Sequence, residues 1–313
     1  VSSVTIKVAP EVEGTRLDSF LSTVPDVGSR TRAQRLIAEG MVLVDGETRG
    51  KNHRLRAGEV IDATLPPPRE TGLEPEEMDL DIPYEDRWLL VVDKPAGMVT
   101  HPAKGHDSGT LVHGLLAHGA AGGEHPRRPG IVHRLDKDTS GLLVVARDAE
   151  THRLLVDLLS RHEVRRTYIA LVHGSFQTAE GTIDAPVGRD RADRQKMSVG
   201  GDAGRDAVTH FRVLESWKDA GRAHGGDDGY SLLEVELETG RTHQIRVHLA
   251  AIGHPVAGDT TYGRRHDALG IGRQFLHAAR LGFRHPHTGE TVEVESPLPD
   301  DLSTVLQHLR GRS

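Results

Sequence analysis

Three consecutive prolines, Pro66-Pro67-Pro68, most constrain what this 313-residue chain can become. Proline lacks the backbone donor and fixes φ, so neither a helix nor a central strand runs through this point. The run leads into an acidic stretch: residues 65–86 hold one Arg against eight Asp or Glu. We read residues 66–81 as a stiff, extended, solvated connector between a small unit, 1–65, and a larger one, 82–313. The same stretch supplies the whole net charge of −7, since residues 1–64 carry nine basic and nine acidic side chains and the rest of the chain 29 of each. Neutral units can still present basic faces, and residues 30–56 hold seven basic side chains against three acidic. Net acidity therefore does not exclude a nucleic-acid partner.

Hydrophobic content of 36% with 27% charge describes a globular protein. No apolar run reaches the length of a membrane span. Val1-Ser2-Ser3 has no basic then apolar leader, so no secretory signal is expected. The chain has no cysteine, which removes disulfide and thiolate chemistry and fits the cytoplasm we expect as its location.

In the small unit Thr15 can cap a helix with Leu17, Phe20 and Leu21 on one face. Ser29 can cap a second, with Ala33, Leu36 and Ile37 inward and Gly40 as its stop. Residues 41–44 read as a strand, Asp45-Gly46 as a hairpin turn, and 59–65 as a further strand. Arg30, Arg32 and Arg35 are expected on the exposed side of the second helix, near the basic segment 49–56. In the large unit strands are expected at 88–92, 142–146, 168–172, 208–216 and 231–238. Helices are expected at 111–118, at 149–162 with a Leu154, Leu155, Leu158, Leu159 stripe, and at 242–252, stopped by Gly253 and Pro255. Strands outnumber helices without regular alternation, which predicts an α+β unit on a mixed, mainly antiparallel sheet with flanking helices. The Gly/Asp-rich segments 200–206 and 219–229 read as mobile loops.

Chemistry concentrates in Gly130-Ile131-Val132-His133-Arg134-Leu135-Asp136-Lys137-Asp138-Thr139-Ser140-Gly141, a polar loop set before a buried-type strand. Taken alone, Asp136 and Asp138 read as turn and capping residues. Twenty histidines raise the question of a metal, but His243 and His248 are five apart, HExxH is absent, and no metal site is expected. Asp138-Thr139-Ser140-Gly141 has only Asp259-Thr260-Thr261 as a poor counterpart, which argues against a paired-carboxylate protease. Nucleophile-elbow, P-loop and dinucleotide motifs are missing.

Two resemblances cover almost the whole chain. Arg16-Leu17-Asp18, Ser29-Arg30, Gly40-Met41-Val42, Val44-Asp45-Gly46 and Gly58-Glu59 resemble the S4 RNA-binding domain, over about residues 14–65. This implies that the helix bearing Arg30, Arg32 and Arg35 contacts RNA phosphates. His133-Arg134-Leu135-Asp136, with Thr139-Ser140-Gly141, resembles the signature of the RluA/RluD family of pseudouridine synthases. Four further blocks agree in order: Asp93-Lys94-Pro95-Ala96-Gly97; residues 166–174 from Arg166-Thr167-Tyr168; residues 240–249 from Gly240-Arg241-Thr242-His243; and Phe275-Leu276-His277-Ala278.

The family resemblance implies an isomerase that breaks the uracil–ribose bond of a flipped uridine and rejoins the base through C5, with no cofactor and no metal. Asp136 would be the catalytic carboxylate, in attack on C1′, in attack on the base, or in a glycal route. Arg246 would be its bidentate cationic partner, and Tyr168 the ring beneath the base, with a hydroxyl able to take or relay the C5 proton. Leu276 would close the pocket, Arg134 would fill the place of the flipped base, and His133 would touch substrate or support the loop. Large-subunit ribosomal RNA is the expected partner, for a monomer. The competing readings are a tRNA-directed synthase of the same family and a non-catalytic ribosomal RNA-binding or assembly factor.

Overall fold

Residues Val60–Leu65 alternate outward and inward, burying Ile61, Ala63 and Leu65. This period-two pattern sets the central strand of the first of two main sheets. The computed structural model describes residues 2–28, 30–65, 73–102, 107–123, 125, 127–193, 196–200, 203–217, 229–263 and 269–311. The first unit runs β1 (Ser2–Lys7), α1 (Leu17–Leu21), α2 (Arg30–Ala38), β2 (Val42–Val44), β3 (Glu47–Thr48) and β4 (Val60–Leu65). Its antiparallel sheet has the order β1-β4-β2-β3. Leu17 and Leu21 of α1 join Ala33, Leu36 and Ile37 of α2 in one core with Val42, Val44, Ile61 and Ala63. Asp45 and Gly46 take φ of 49° and 80°, the left-handed pair a tight hairpin demands.

Two expectations need correction here, the Thr15 cap and the exposure of the α2 arginines. Thr15 does not cap α1: the capping position is Arg16, no side chain caps it, and the Thr15 carbonyl instead accepts the Leu55 amide. The expected Ser29 cap lies outside the described residues. Arg30 does not simply face solvent, because its Nε donates to Asp18 at 3.1 Å. That aspartate is fully buried and also receives Arg16 and Gln34. The Arg16 hydrogen bonds, against the cost of burial and with help from Gln34 and Arg30, hold its carboxyl well below the usual range. Arg32 and Arg35 are half-buried.

The connector is only partly solvated. Residues 66–72 are outside the described set, but the Glu76 amide donates to the His113 carbonyl and its carboxylate accepts the Gly109 amide. Leu80 packs on the main core. Met78 and Leu80 come so close to Gly114 that a Cβ there would meet both at 3.0 Å. Alternating apolar residues in the acidic stretch thus dock it on the following unit.

That unit contains β5 (Asp81–Glu85), β6 (Leu89–Lys94), α3 (Leu111–Ala117), β7 (Ser140–Ala146), α4 (Ala149–Ser160), β8 (Arg165–His173), β9 (Glu180–Asp184), β10 (Val187–Arg189), β11 (Met197–Val199), β12 (Val208–Trp217), β13 (Tyr230–Leu237), α5 (Gln244–Ala251), β14 (Leu276–Arg284), β15 (Thr291–Glu295) and α6 (Asp300–Arg310). The large sheet has the order β5-β6-β7-β14-β8-β13-β12-β9, with β15 also on β14. Among the described residues only β7 and β14 pair in parallel, so the sheet is mixed and mainly antiparallel. Strand β7 is buried along its length because both faces are covered. Leu143 and Val145 join the core that includes α3 and α6, and Leu142, Val144 and Ala146 join the one that includes α4. Gly141, at φ 113°, lies where a Cβ would meet the Ala278 carbonyl oxygen at 2.3 Å; this close approach sets β7 against β14. A separate hairpin, β10–β11, packs through Val187, Met197 and Val199 near Val247 and Tyr262. Residues 203–206 are pinned to it by two Val187–Arg205 backbone hydrogen bonds, against the mobile loop expected there. The other expected loop lies mostly outside the described residues.

Candidate active site

The loop before β7 leaves few of its polar backbone groups free to move. Four successive carbonyls are each held: Leu135 by the Thr100 hydroxyl, Asp136 by the Thr139 amide, Lys137 by Lys94 Nζ and the Gly97 amide, Asp138 by Arg273. Lys94 is fully buried and gives Nζ hydrogen bonds to three carbonyls, those of Pro95, Met98 and Lys137, at 2.8–3.0 Å. Burial pulls its pKa down to about 7 against the Asp138 and Asp136 charges, while three acceptors suit the three donors of an ammonium. The Lys94-Pro95-Ala96-Gly97 block is therefore a clamp that fixes where Asp136 stands.

Asp136 opens into a cleft lined by His133, Arg134, Tyr168, His243, Arg246 and Leu276, among others. Residues from the β7 loop, β8, α5 and β14 thus converge. Arg246 NH1 donates to Asp136 Oδ2 at 2.9 Å. The guanidinium fork, however, is not bidentate on Asp136 as expected. Its Nε and NH2 grip Asp259 at 2.7 and 2.9 Å. Asp259, whose side chain is fully buried, also accepts the Thr261 and Tyr262 amides. Burial alone would push this carboxyl up, but the Arg246 fork and the two amides hold it below the usual range. Burial works against the Arg246 cation, and Asp259 with Asp136 more than reverses that, raising its pKa. In the sequence, Asp259 reads only as a poor counterpart to a protease-like motif. Its one local signal was an Asp just ahead of amides it could accept, and its true partner sits 13 positions earlier.

Tyr168 is buried beside this pair. Burial pushes its phenol up, Arg166 pulls against that, and Asp136 adds to the rise. The ring therefore meets the cleft as a neutral phenol, suited to stacking, while proton abstraction by phenolate is disfavoured. Leu276 opens β14 and is buried. Arg134 is exposed, 3.4 Å from Nε2 of the buried His101. His133 lines the cleft, but its Nε2 accepts the Val144 amide at 3.1 Å. Burial and the Arg166 charge lower its pKa to about 3, so the ring is neutral and half its hydrogen bonding is structural. Among the described residues no group of His, Asp and Glu is arranged to hold a metal ion, and no helix is long and apolar enough to cross a membrane. A half-buried carboxylate held by one arm of a fixed guanidinium, beside an aromatic ring in an open cleft, can act on a planar group laid against that ring.

Residues 88–251 match the model of the RNA pseudouridylate synthase family, and residues 15–61 that of the S4 domain. An uncharacterized RNA pseudouridine synthase of Bacillus subtilis is 47% identical over 312 residues, covering 99% of each chain. The ribosomal large subunit pseudouridine synthase D of Neisseria meningitidis is 44% identical over 317 residues, covering 97% of this chain and 81% of its own. Among solved structures, human RNA pseudouridylate synthase domain containing 1 aligns with a TM-score of 0.55 and 30% identity, over 76% of this chain and 98% of that one.

Proposed function

From the membership of this chain in the RluA family of RNA pseudouridine synthases, isomerases of RNA uridines, we propose that its substrate is large-subunit ribosomal RNA and that Asp136 carries the reaction. The observation that carries the chemical part is the Asp136–Arg246 contact inside a cleft that also holds Tyr168. Uracil must leave C1′, turn and reattach through C5. Asp136 supplies the carboxylate, with Oδ2 tied to Arg246 and Oδ1 turned away from that arm. Tyr168 stacks under the base, a contact worth about 1–3 kcal/mol. Leu276 closes the apolar side. Because a stacked base hides its glycosidic bond, the nucleotide flips at a cost of a few kcal/mol, and the exposed Arg134 takes its place.

Ribosomal specificity is supported by the relatives whose names specify the large ribosomal subunit. Chemical mapping of pseudouridine in RNA from cells lacking the protein is expected to show loss at large-subunit ribosomal sites and nowhere else. Loss confined to tRNA would overturn the substrate and leave the chemistry standing.

The S4 unit binds RNA, and we assign its phosphate contacts to α2. Each phosphate contact contributes about 0.7–0.9 to the slope of log affinity against log salt. Arg35→Ala is expected to flatten that slope by about one contact with the melting temperature unchanged. Arg30→Ala should flatten it and also lower the melting temperature, because it strips a donor from buried Asp18. Filter binding between 50 and 200 mM salt, with calorimetry, separates the two; slopes equal to wild type would detach α2 from RNA.

A further inference from the structure

Arg246 binds Oδ2 of Asp136, and the other oxygen faces the ring of His243, whose Nε2 lies 3.8 Å from Oδ1. His243 occupies the N-cap of α5 in the left-handed region, φ 56° and ψ 18°, and its side chain caps nothing. Histidine is among the residues tolerated there, yet the conformation costs free energy that the surroundings must offset. The ring is instead turned toward Tyr262, with Nδ1 2.9 Å from the phenol oxygen.

The hydrogen-bond partners of Tyr262 favour one placement of the ring's proton. The Met197 amide, on the β10–β11 hairpin, donates to the Tyr262 oxygen at 2.8 Å. An amide N–H can only donate, so it takes up one acceptor site of the oxygen and favours the arrangement in which the phenol's own proton goes to His243 Nδ1. Burial pushes the Tyr262 phenol up, which keeps that proton in place, and burial pulls His243 down, which keeps the imidazole neutral. With Nδ1 accepting, the ring proton sits on Nε2, on the Asp136 side. The Tyr262 ring also lies over the Arg246 guanidinium, 5.1 Å from its centroid, so one tyrosine orients both neighbours of the carboxylate.

We propose that His243 is a further catalytic residue, locked by Tyr262 as the Nε2–H tautomer, and that it donates to a uracil carbonyl oxygen of the flipped nucleotide beside Asp136 Oδ1. This rests on the assignment of Asp136 as the reacting carboxylate. When the C1′–N1 bond breaks, its electron pair goes to the base and charge spreads to the carbonyl oxygens. A preset neutral donor favours that state over the intact nucleotide. Tyr262 is then a positioning residue, acting through His243.

The test pairs two substitutions with one spectroscopic measurement on the full chain. His243→Asn tolerates the left-handed backbone and can still accept from Tyr262, but it ends short of Nε2. His243→Gln reaches that position with an amide donor. In single-turnover tritium release from a [5-³H]uridine ribosomal RNA transcript, the Asn variant should lose about 10²–10³-fold in rate. The Gln variant should recover to within about tenfold of wild type, and RNA affinity should stay within about twofold for both. Imidazole ¹⁵N NMR, with His243 assigned by its absence in the Gln variant, should show Nε2–H in wild type and mixed tautomers in Tyr262→Phe. A wild-type Nδ1–H ring, or an Asn variant as fast as wild type, overturns the proposal. Full activity in Asp136→Asn would instead remove the assignment beneath it, whatever the tautomer of His243.

Discussion

Replacing Asp136 by Asn is expected to lower pseudouridine formation by about 10⁴-fold or more while RNA affinity stays within about threefold of wild type. The two side chains have nearly the same shape, and the backbone here is held without the carboxylate. The Leu135, Lys137 and Asp138 carbonyls are bound by Thr100, Lys94 with Gly97, and Arg273. Arg246 NH1 can donate to the amide oxygen as it does to Oδ2. What disappears is the charge and nucleophilicity of an oxygen, so the loss falls on the chemical step, as with nucleophiles elsewhere. A factor of 10⁴ corresponds to about 5.5 kcal/mol of transition-state stabilisation. Tritium release from [5-³H]uridine RNA measures the step, and filter binding measures affinity. Equal release from both proteins would take Asp136 out of the mechanism; an equal loss of binding would make it a substrate anchor only.

Much of this site is legible in the sequence because its parts are local. The loop around Asp136, the Lys94-Pro95-Ala96-Gly97 turn and the strand bearing Tyr168 are contiguous words, and their spacing on loops and strands survives folding. The helix expected at 149–162 likewise declared itself through its leucine stripe: it spans Ala149–Ser160, and Leu155 and Leu158 are buried. Other features depend on partners that are distant in sequence. Strand β1 alternates only weakly, with Val4 and Ile6 half-buried, and exists because β4 supplies its partner along six residues. Helix α6 did carry a local signal, Leu302, Leu306 and Leu309 at helical spacing, and all three are buried. The sharing of Arg246 between two aspartates could not be read from either one.

That sharing leads to a second large effect. Asp259→Asn is expected to lower the rate by about 10²–10³-fold and to destabilise the protein by about 3–5 kcal/mol, the usual result of stripping one partner from a buried ion pair. Two of the three guanidinium nitrogens of Arg246 are occupied by Asp259, and only NH1 serves Asp136. Without the second carboxylate the fork is free to rotate onto Asp136 and claim both of its oxygens, covering the Oδ1 that chemistry needs. The pH dependence separates this from a packing defect. Asp259 titrates lower in the folded protein than in the unfolded chain, so its contribution to stability is fully present above about pH 3.9 and is lost as pH falls through its depressed native value. The variant should therefore lose stability at neutral pH and show a correspondingly shallower loss on acidification. Denaturation curves from pH 7 down to pH 2.5, set beside single-turnover rates at pH 7, read both effects. An Asn variant with wild-type rate would show that Asp259 does not orient Arg246 for Asp136. Parallel stability profiles would place its stabilising effect in shape and not in charge.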